Sequence, residues 1–246
     1  EKNSNRWPFM VYRYEHGNMS AFNSMPSNQQ LIFYYYPRAC SLAVHIVLEE
    51  SGLVYERRMV DLPTKQNSAI EYLAINPKGT VPALVVDGET LTETQAILTF
   101  LGDIIGDGKF LPPTGDFRRY RAHEWMNFLS SSVHTYIRSI FRSAAYAGES
   151  QVANDAVNAQ GVNNLASAVA RVEGLLADKV WSLGADFSVV DAYLFVMYLW
   201  TTDTRISSVP ERPNWEAVAK KVWQRPAVQR VISIERKHRN IVVPWE

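Results

Sequence analysis

One cysteine stands in this chain of 246 residues, and its setting is the first place to look for chemistry. Cys40 follows an apolar run, Leu31 to Tyr35, and a break at Tyr36-Pro37-Arg38. The pattern after it is helical. A thiol in the first turn of a helix meets free N–H groups and the positive end of the helix dipole, which favour an anion and should depress its pKa. Ser41 adds a hydroxyl at the same end. A solitary cysteine is also a common buried packing residue, so the thiol by itself leaves both readings open. Val81-Pro82 is the second feature. A proline at the mouth of a strand removes a ladder donor. A cis bond there would leave the Val81 N–H and C=O free to grip an extended peptide by strand addition; an ordinary edge-strand proline is the other reading. Third, Glu93-Thr94 precedes a helical pattern. The hydroxyl and the helix-start amides suit a carboxylate, and Glu93 suits an ammonium group. A plain helix cap explains the same residues.

These groups need elements to hold them. Leu31 to Tyr35 reads as a buried strand, and Ala39 to Gly52 as a helix with a glycine stop. Tyr55 to Asp61 is a second strand, Ser68 to Ala74 a short helix, and Asn76-Pro77-Lys78-Gly79 a turn. Val81 to Val86 and Glu89 to Thr92 form a hairpin about Asp87-Gly88. A helix follows, capped by Thr92 or Thr94 and carrying Ala96, Ile97, Phe100, Leu101 and Ile104. The opening β-α-β unit should be parallel and right-handed. The expected architecture is an α/β domain with a four-stranded mixed sheet over 31–106, then a glycine- and proline-containing linker over 107–116. An all-α helical bundle follows over 117–246. Its first apolar pattern runs from Phe117 to Ala147, its second from Val157 to Leu176. Ser188 to Asp191 reads as a capping box ahead of an apolar helix. Residues 1–30, with Trp7, Phe9, Tyr12, Tyr14 and Phe22, read as an N-terminal extension outside the main fold.

Composition narrows the field. Lys plus Arg and Asp plus Glu are both 25, so no net field draws in nucleic acid. A single cysteine excludes an internal disulfide and every multi-cysteine metal framework. It is consistent with a reducing, cytoplasmic setting. The most apolar run, Ala192 to Trp200, is about half of the roughly 20 residues a bilayer needs. We expect no metal, no membrane and no nucleic acid partner.

Five segments resemble the beta class of bacterial glutathione transferases. Tyr35 to Leu42 is similar to "YxPGACSL", Asn76 to Leu84 to "NPKGxVPAL", and Leu91 to Ile97 to "LTEGxAI". Phe187 to Phe195 is similar to "FTIADAYLF", and Arg225 to Gln229 to "RPxVQ". They run in order from about Leu31 to Lys237. The resemblance implies a thioredoxin-like domain joined to an all-helical one, usually as a homodimer, with glutathione as co-substrate beside a small hydrophobic electrophile. It places Cys40 next to the glutathione sulfur, with Ser41 and His134 as catalytic donors. It pairs the Val81 backbone with the cysteinyl unit across a cis-Pro82 turn and gives the γ-glutamyl end to Glu93 and Thr94. Lys65 matches a lysine that reaches the glycyl carboxylate. Asn127 and His134, seven residues apart on one expected helix face, match polar positions turned toward the sulfur. Tyr35 matches a tyrosine near the site, and Trp200 an aromatic on the second-substrate side; each is equally a core aromatic.

Two departures stand out. Arg38 replaces the usual glycine beside the cysteine and should bring a cation near the thiol. The tail, with Ile241, Val242, Val243 and Trp245, could cover the second-substrate cleft. The expected activity is transfer of the glutathione thiolate to small electrophiles, in detoxification. A glutathione-dependent lyase, dehalogenase or thiol-disulfide reductase acting through Cys40 is the alternative. A non-catalytic binding module of the same fold is the third reading.

Overall fold

A computed structural model describes residues 30–106, 108–206 and 208–246. The N-terminal extension expected over 1–30 lies outside them, apart from Gln30. Strand β1 (Leu31–Tyr35) is apolar throughout and takes the centre of a sheet. It pairs in parallel with β2 (Glu56–Met59) and antiparallel with β3 (Ala83–Val86), which pairs antiparallel with β4 (Glu89–Thr92). The order is β2-β1-β3-β4, the mixed sheet expected. Strand β3 opens at Ala83 rather than Val81, because Pro82 has no N–H to give to a ladder. The Val81–Pro82 bond is cis.

The period of two along β1 sends its side chains to opposite faces. Phe33 and Tyr35 turn toward helix α1 (Ser41–Ser51), which is buried from Ser41 to Leu48 and stopped by Gly52 at φ 71°. Tyr34 turns the other way. With Val81, Ala83 and Val85 it packs on Tyr72 of α2 (Ile70–Leu73). Helix α3 (Thr94–Ile105) returns to the α1 face. Its N-cap is Glu93, and Thr94 is its first helical residue, so neither threonine caps it.

Helix follows helix after residue 116. The expected pattern over 117–147 is split: α4 (Phe117–Phe128) runs into a five-residue π-helical stretch, Leu129–Val133, and out as α5 (His134–Phe141), with α6 (Ala144–Ala147) beyond. Helix α7 (Gln151–Leu175) starts earlier than its apolar pattern, on a Ser150 cap. Helix α8 (Val189–Thr201) is buried over almost its whole length and lies against α1. Its capping box is complete: Asp191 accepts from the Ser188 N–H and hydroxyl, at 2.8 and 2.7 Å, and also from Ser182 N–H. Helices α9 (Pro213–Trp223) and α10 (Pro226–Arg236) both begin on proline, which suits the first helical position.

Two contacts bear on the site. His45 of α1 and Glu235 of α10 meet at 2.8 Å, both fully buried. The tail does not cover the cleft as expected. Trp245 stacks on Tyr198 and donates Nε1 to Glu216, while Ile241 and Val243 are buried, so the tail is spent on α8 and α9. Among the described residues no helix is long and apolar enough to cross a membrane.

Candidate functional site

Cys40 is the N-cap of α1, and its thiol donates to the Val81 carbonyl at 3.5 Å. The sulfur therefore sits against the cis-proline turn. No described residue accepts the Val81 N–H, which remains available to an extended ligand. Asn76 and Tyr72 hold this turn by donating to the Thr80 carbonyl at 2.7 and 2.6 Å. The Thr94 hydroxyl lies beside the sulfur from the third side. Three corners distant in sequence, the starts of α1 and α3 and the cis turn, thus converge on one thiol.

The thiol itself differs from expectation. Burial pushes its pKa up; the Thr94 hydroxyl and the Cys40 and Ser41 N–H groups pull it down, and the charge of Glu93 pushes it up again. Desolvation outweighs the helix end, so the free protein carries a thiol here rather than a thiolate. Arg38 does not bring its charge to the sulfur either. Its guanidinium turns away to Asp203, just beyond α8, at 2.6 Å.

Glu93 takes φ 74°, a left-handed backbone that a non-glycine residue holds only under constraint. Its carboxylate is 66% exposed and pairs with Lys78 at 2.7 Å, and Lys78 also reaches Thr92. Behind Glu93, the first N–H groups of α3 have no helical acceptors. Lys65 is exposed on a loop, also left-handed at φ 61°. That loop is tied toward the cis turn by Asn67, which donates to the Gly79 carbonyl at 2.8 Å.

The helical part closes the group. Trp200 donates Nε1 to the Arg38 carbonyl at 2.9 Å, and its ring meets His134 edge-on at 4.9 Å. Burial pushes the His134 pKa down to about 4; Arg138 lowers it further and Glu93 opposes. At neutral pH the imidazole is uncharged, able to donate from one nitrogen and accept at the other. Burial puts the pKa of Tyr193 of α8, 1% exposed, well above the usual phenol value, and the charge of Glu93, joined by that of Cys40 once it ionises, pushes the same way.

Three expected site residues have no described side-chain contact with the thiol. Tyr35 is a core aromatic, stacked on Phe33 at 5.6 Å and tilted against His45. Ser41 is buried, and its hydroxyl is consumed by the loop. It donates to the Tyr36 carbonyl at 3.1 Å and accepts the Tyr36 N–H at 3.2 Å. Asn127 and His134 are not two turns apart on one continuous α-helix. The π-helical stretch between them has wider turns, so seven residues no longer close two α-helical turns. Asn127 is exposed, and its carbonyl accepts from the Ser130 and Ser131 hydroxyls. Sequence reasoning missed Lys78, Tyr193, Asp203 and Glu235. Of these, Lys78 and Tyr193 have a local signal, inside the Asn-Pro-Lys-Gly turn and the Phe187 to Phe195 segment. Two surface cavities of about 420 and 660 Å³ lie apart from this group, on α9–α10 with the tail and between α4 and α7.

A family model for the glutathione S-transferase N-terminal domain matches residues 38–104. The glutathione S-transferase GstA of Escherichia coli O157:H7 is 34% identical over 204 residues, 82% of this chain and 97% of the relative. The chain belongs to the glutathione transferase family. A glutathione transferase homologue from Sulfitobacter, solved with bound glutathione, superposes with a TM-score of 0.76 at 31% identity, covering 83% of this chain and 98% of that one. The beta class glutathione S-transferase of Sphingomonas chungbukensis gives 0.71 at 34% identity, over 83% and 98%. The fold is thus that of a glutathione transferase, a thioredoxin-like domain followed by a helical one. Three of the five segments that resemble the family fall on the corners around Cys40; the other two lie at the starts of α8 and α10.

Proposed function

We propose that this glutathione transferase binds glutathione stretched across those three corners and transfers its thiolate to small electrophiles. Residues 31–106 form the glutathione-binding unit, 107–116 the linker and 117–246 the helical unit that supplies the second-substrate wall. The observation that carries the reading is Cys40 Sγ at 3.5 Å from the Val81 carbonyl, with the Val81 N–H unclaimed. An extended tripeptide pairs its cysteinyl backbone with Val81. Its γ-glutamyl carboxylate meets the first N–H groups of α3 and the Thr94 hydroxyl, and its ammonium group meets Glu93 in exchange for Lys78. Lys65 takes the glycyl carboxylate. The ligand sulfur then lies beside Cys40, with neutral His134 and Trp200 across the cleft. Donors around the sulfur favour its thiolate, which attacks an electrophilic carbon and expels a leaving group such as chloride.

The raised pKa of Cys40 favours glutathione over Cys40 as the nucleophile, against the lyase or reductase alternative. Exposed Phe117 and Tyr120 on α4 support a second copy of the chain as partner.

Conjugation of an activated aryl chloride, followed in Cys40→Ser beside the parent, tests the reading. We expect the variant to keep most of its rate. A parent protein that neither binds millimolar glutathione nor turns over the chloride overturns the assignment. Loss of all turnover in the variant moves it to the Cys40 chemistry.

A further inference from the structure

The second-substrate wall carries more positive charge than a purely apolar electrophile would need. Helix α5 places His134, Arg138 and Phe141 at i, i+4 and i+7, on one face. His134 meets Trp200, and the guanidinium of Arg205 lies over the Phe141 ring at 3.9 Å. Arg205 donates Nε and Nη2 to Asp203, at 2.8 and 2.9 Å. Asp203 Oδ2 also takes Arg38, two residues before the cysteine. The chain Arg38–Asp203–Arg205–Phe141 runs from the thiol loop to α5, and His134–Trp200–Arg38 closes it into a ring.

Around that ring stand three arginines and the carboxylate of Asp203, with Glu235 buried behind the Arg38 N–H against His45. Asp203 serves Arg38 and Arg205 together, and the hydrogen bonds from Arg205 above all, with that from Arg38, hold its pKa far below the usual carboxylate range. Arg138 is exposed and has no ion-pair partner among the described residues. It shares its face of α5 with His134 and Phe141, and its guanidinium lies over the Tyr146 ring at 6.0 Å. The carboxylate of Glu93, which His134 also feels, is balanced by Lys78. Arg138 is thus left without a described counterion on this wall, and Arg38 and Arg205 share the one carboxylate of Asp203.

We propose that the second substrate is an electrophile bearing a carboxylate or comparable anionic group, held by Arg138 and Arg205. The inference rests on the glutathione reading above and deepens it. Phe141 and Trp200 supply apolar faces for the body of such a molecule. The exposed guanidinium of Arg138 and the free Nη1 of Arg205 supply the anion's donors.

Equilibrium binding of two product analogues to the full chain decides the matter: S-benzylglutathione and S-(4-carboxybenzyl)glutathione, at low and at 0.5 M salt. The carboxylated conjugate should bind about fivefold tighter at low salt, the scale of a partly exposed ion pair. High salt should erode that advantage. Arg138→Gln, and separately Arg205→Gln, should bring the ratio between the two conjugates toward one. Arg138 is exposed and its side chain has only a cation–π approach to Tyr146 among the described residues, so its variant tests the charge with little risk to the fold. Equal binding of both conjugates, or an unchanged ratio in both variants, overturns the inference and leaves the glutathione reading standing. Failure of both conjugates and of glutathione to bind overturns the two together.

Discussion

The indole Nε1 of Trp200 donates to the carbonyl of Arg38 over 2.9 Å, joining α8 to the loop that ends in Cys40. Arg38 is gripped a second time at its N–H, which donates to Glu235 of α10 at 3.0 Å. A third time, its guanidinium meets Asp203. All three partners lie more than 160 residues away in sequence. The residue holds φ 64°, where a side chain costs about 1–2 kcal/mol against glycine. These three bonds offset that cost.

Trp200→Phe keeps the ring against His134 and removes the donor. The Arg38 carbonyl then loses its partner in a part-buried place, a cost of about 1–3 kcal/mol. We expect a lower denaturation midpoint and faster alkylation of Cys40 by iodoacetamide, because the loop is freed. A variant identical to the parent in both measurements would show that the bond holds nothing.

The thiol offers a direct check on the local electrostatics. With its pKa raised by burial, Cys40 should react with iodoacetamide at pH 7 more slowly than free cysteine. Its pH–rate midpoint should lie above the usual thiol range. Thr94→Val removes the hydroxyl that lowers the pKa, so the midpoint should move higher still. A midpoint below that of free cysteine would mean that the helix end outweighs desolvation after all.

Much of this was legible in the sequence, for a physical reason. The three corners around Cys40 are local structures: a strand broken by Pro37, a proline turn at Pro82, and a helix start at Thr94. Short-range rules read such structures well. What escaped depended on tertiary packing. The alternation along β1 does not say which face is the ligand's, so Tyr35 was expected at the site and lies in the core. Ser41 looked free because its acceptor, Tyr36, is matched to it only by the fold of the loop. The seven-residue step from Asn127 to His134 assumed an unbroken α-helix, and Leu129–Val133 is π-helical. Arg38, two residues before Cys40, suggests a charge near the thiol; Asp203, far along the chain, decides where it points.

His134 gives the chain a defined acid response. Its folded pKa is lowered from 6.5 to about 4, so the folded state favours the neutral ring. Such a group contributes stability that is fully present above pH 6.5 and is lost as pH falls through that value toward 4. Denaturation midpoints at pH 7, 5.5 and 4 should therefore fall more in the parent than in His134→Phe. The imidazole resonances should still be those of the neutral ring at pH 5.5. Protonation near pH 6.5 would place this histidine in solvent, away from Trp200.

The buried pair His45–Glu235 sets the last expectation. Glu235 accepts from Arg38 N–H on one oxygen and contacts His45 Nδ1 on the other, while His45 Nε2 has no partner. Glu235→Ala strands both groups in the core and should cost about 3–5 kcal/mol. Glu235→Gln has a way out. Its amide oxygen can still accept from Arg38, and its NH₂ can donate to Nδ1 once His45 carries its proton on Nε2. That variant should lose far less stability and keep the parent's Cys40 alkylation rate, whereas the alanine variant should not. A cycle with His45→Ala separates the two bonds of the carboxylate: a coupling energy near zero between positions 45 and 235 would mean that Glu235 acts through Arg38 alone. Equal losses in the Gln and Ala variants would instead assign the effect to the charge, because the hydrogen-bonding shape is kept in one of them and the charge in neither.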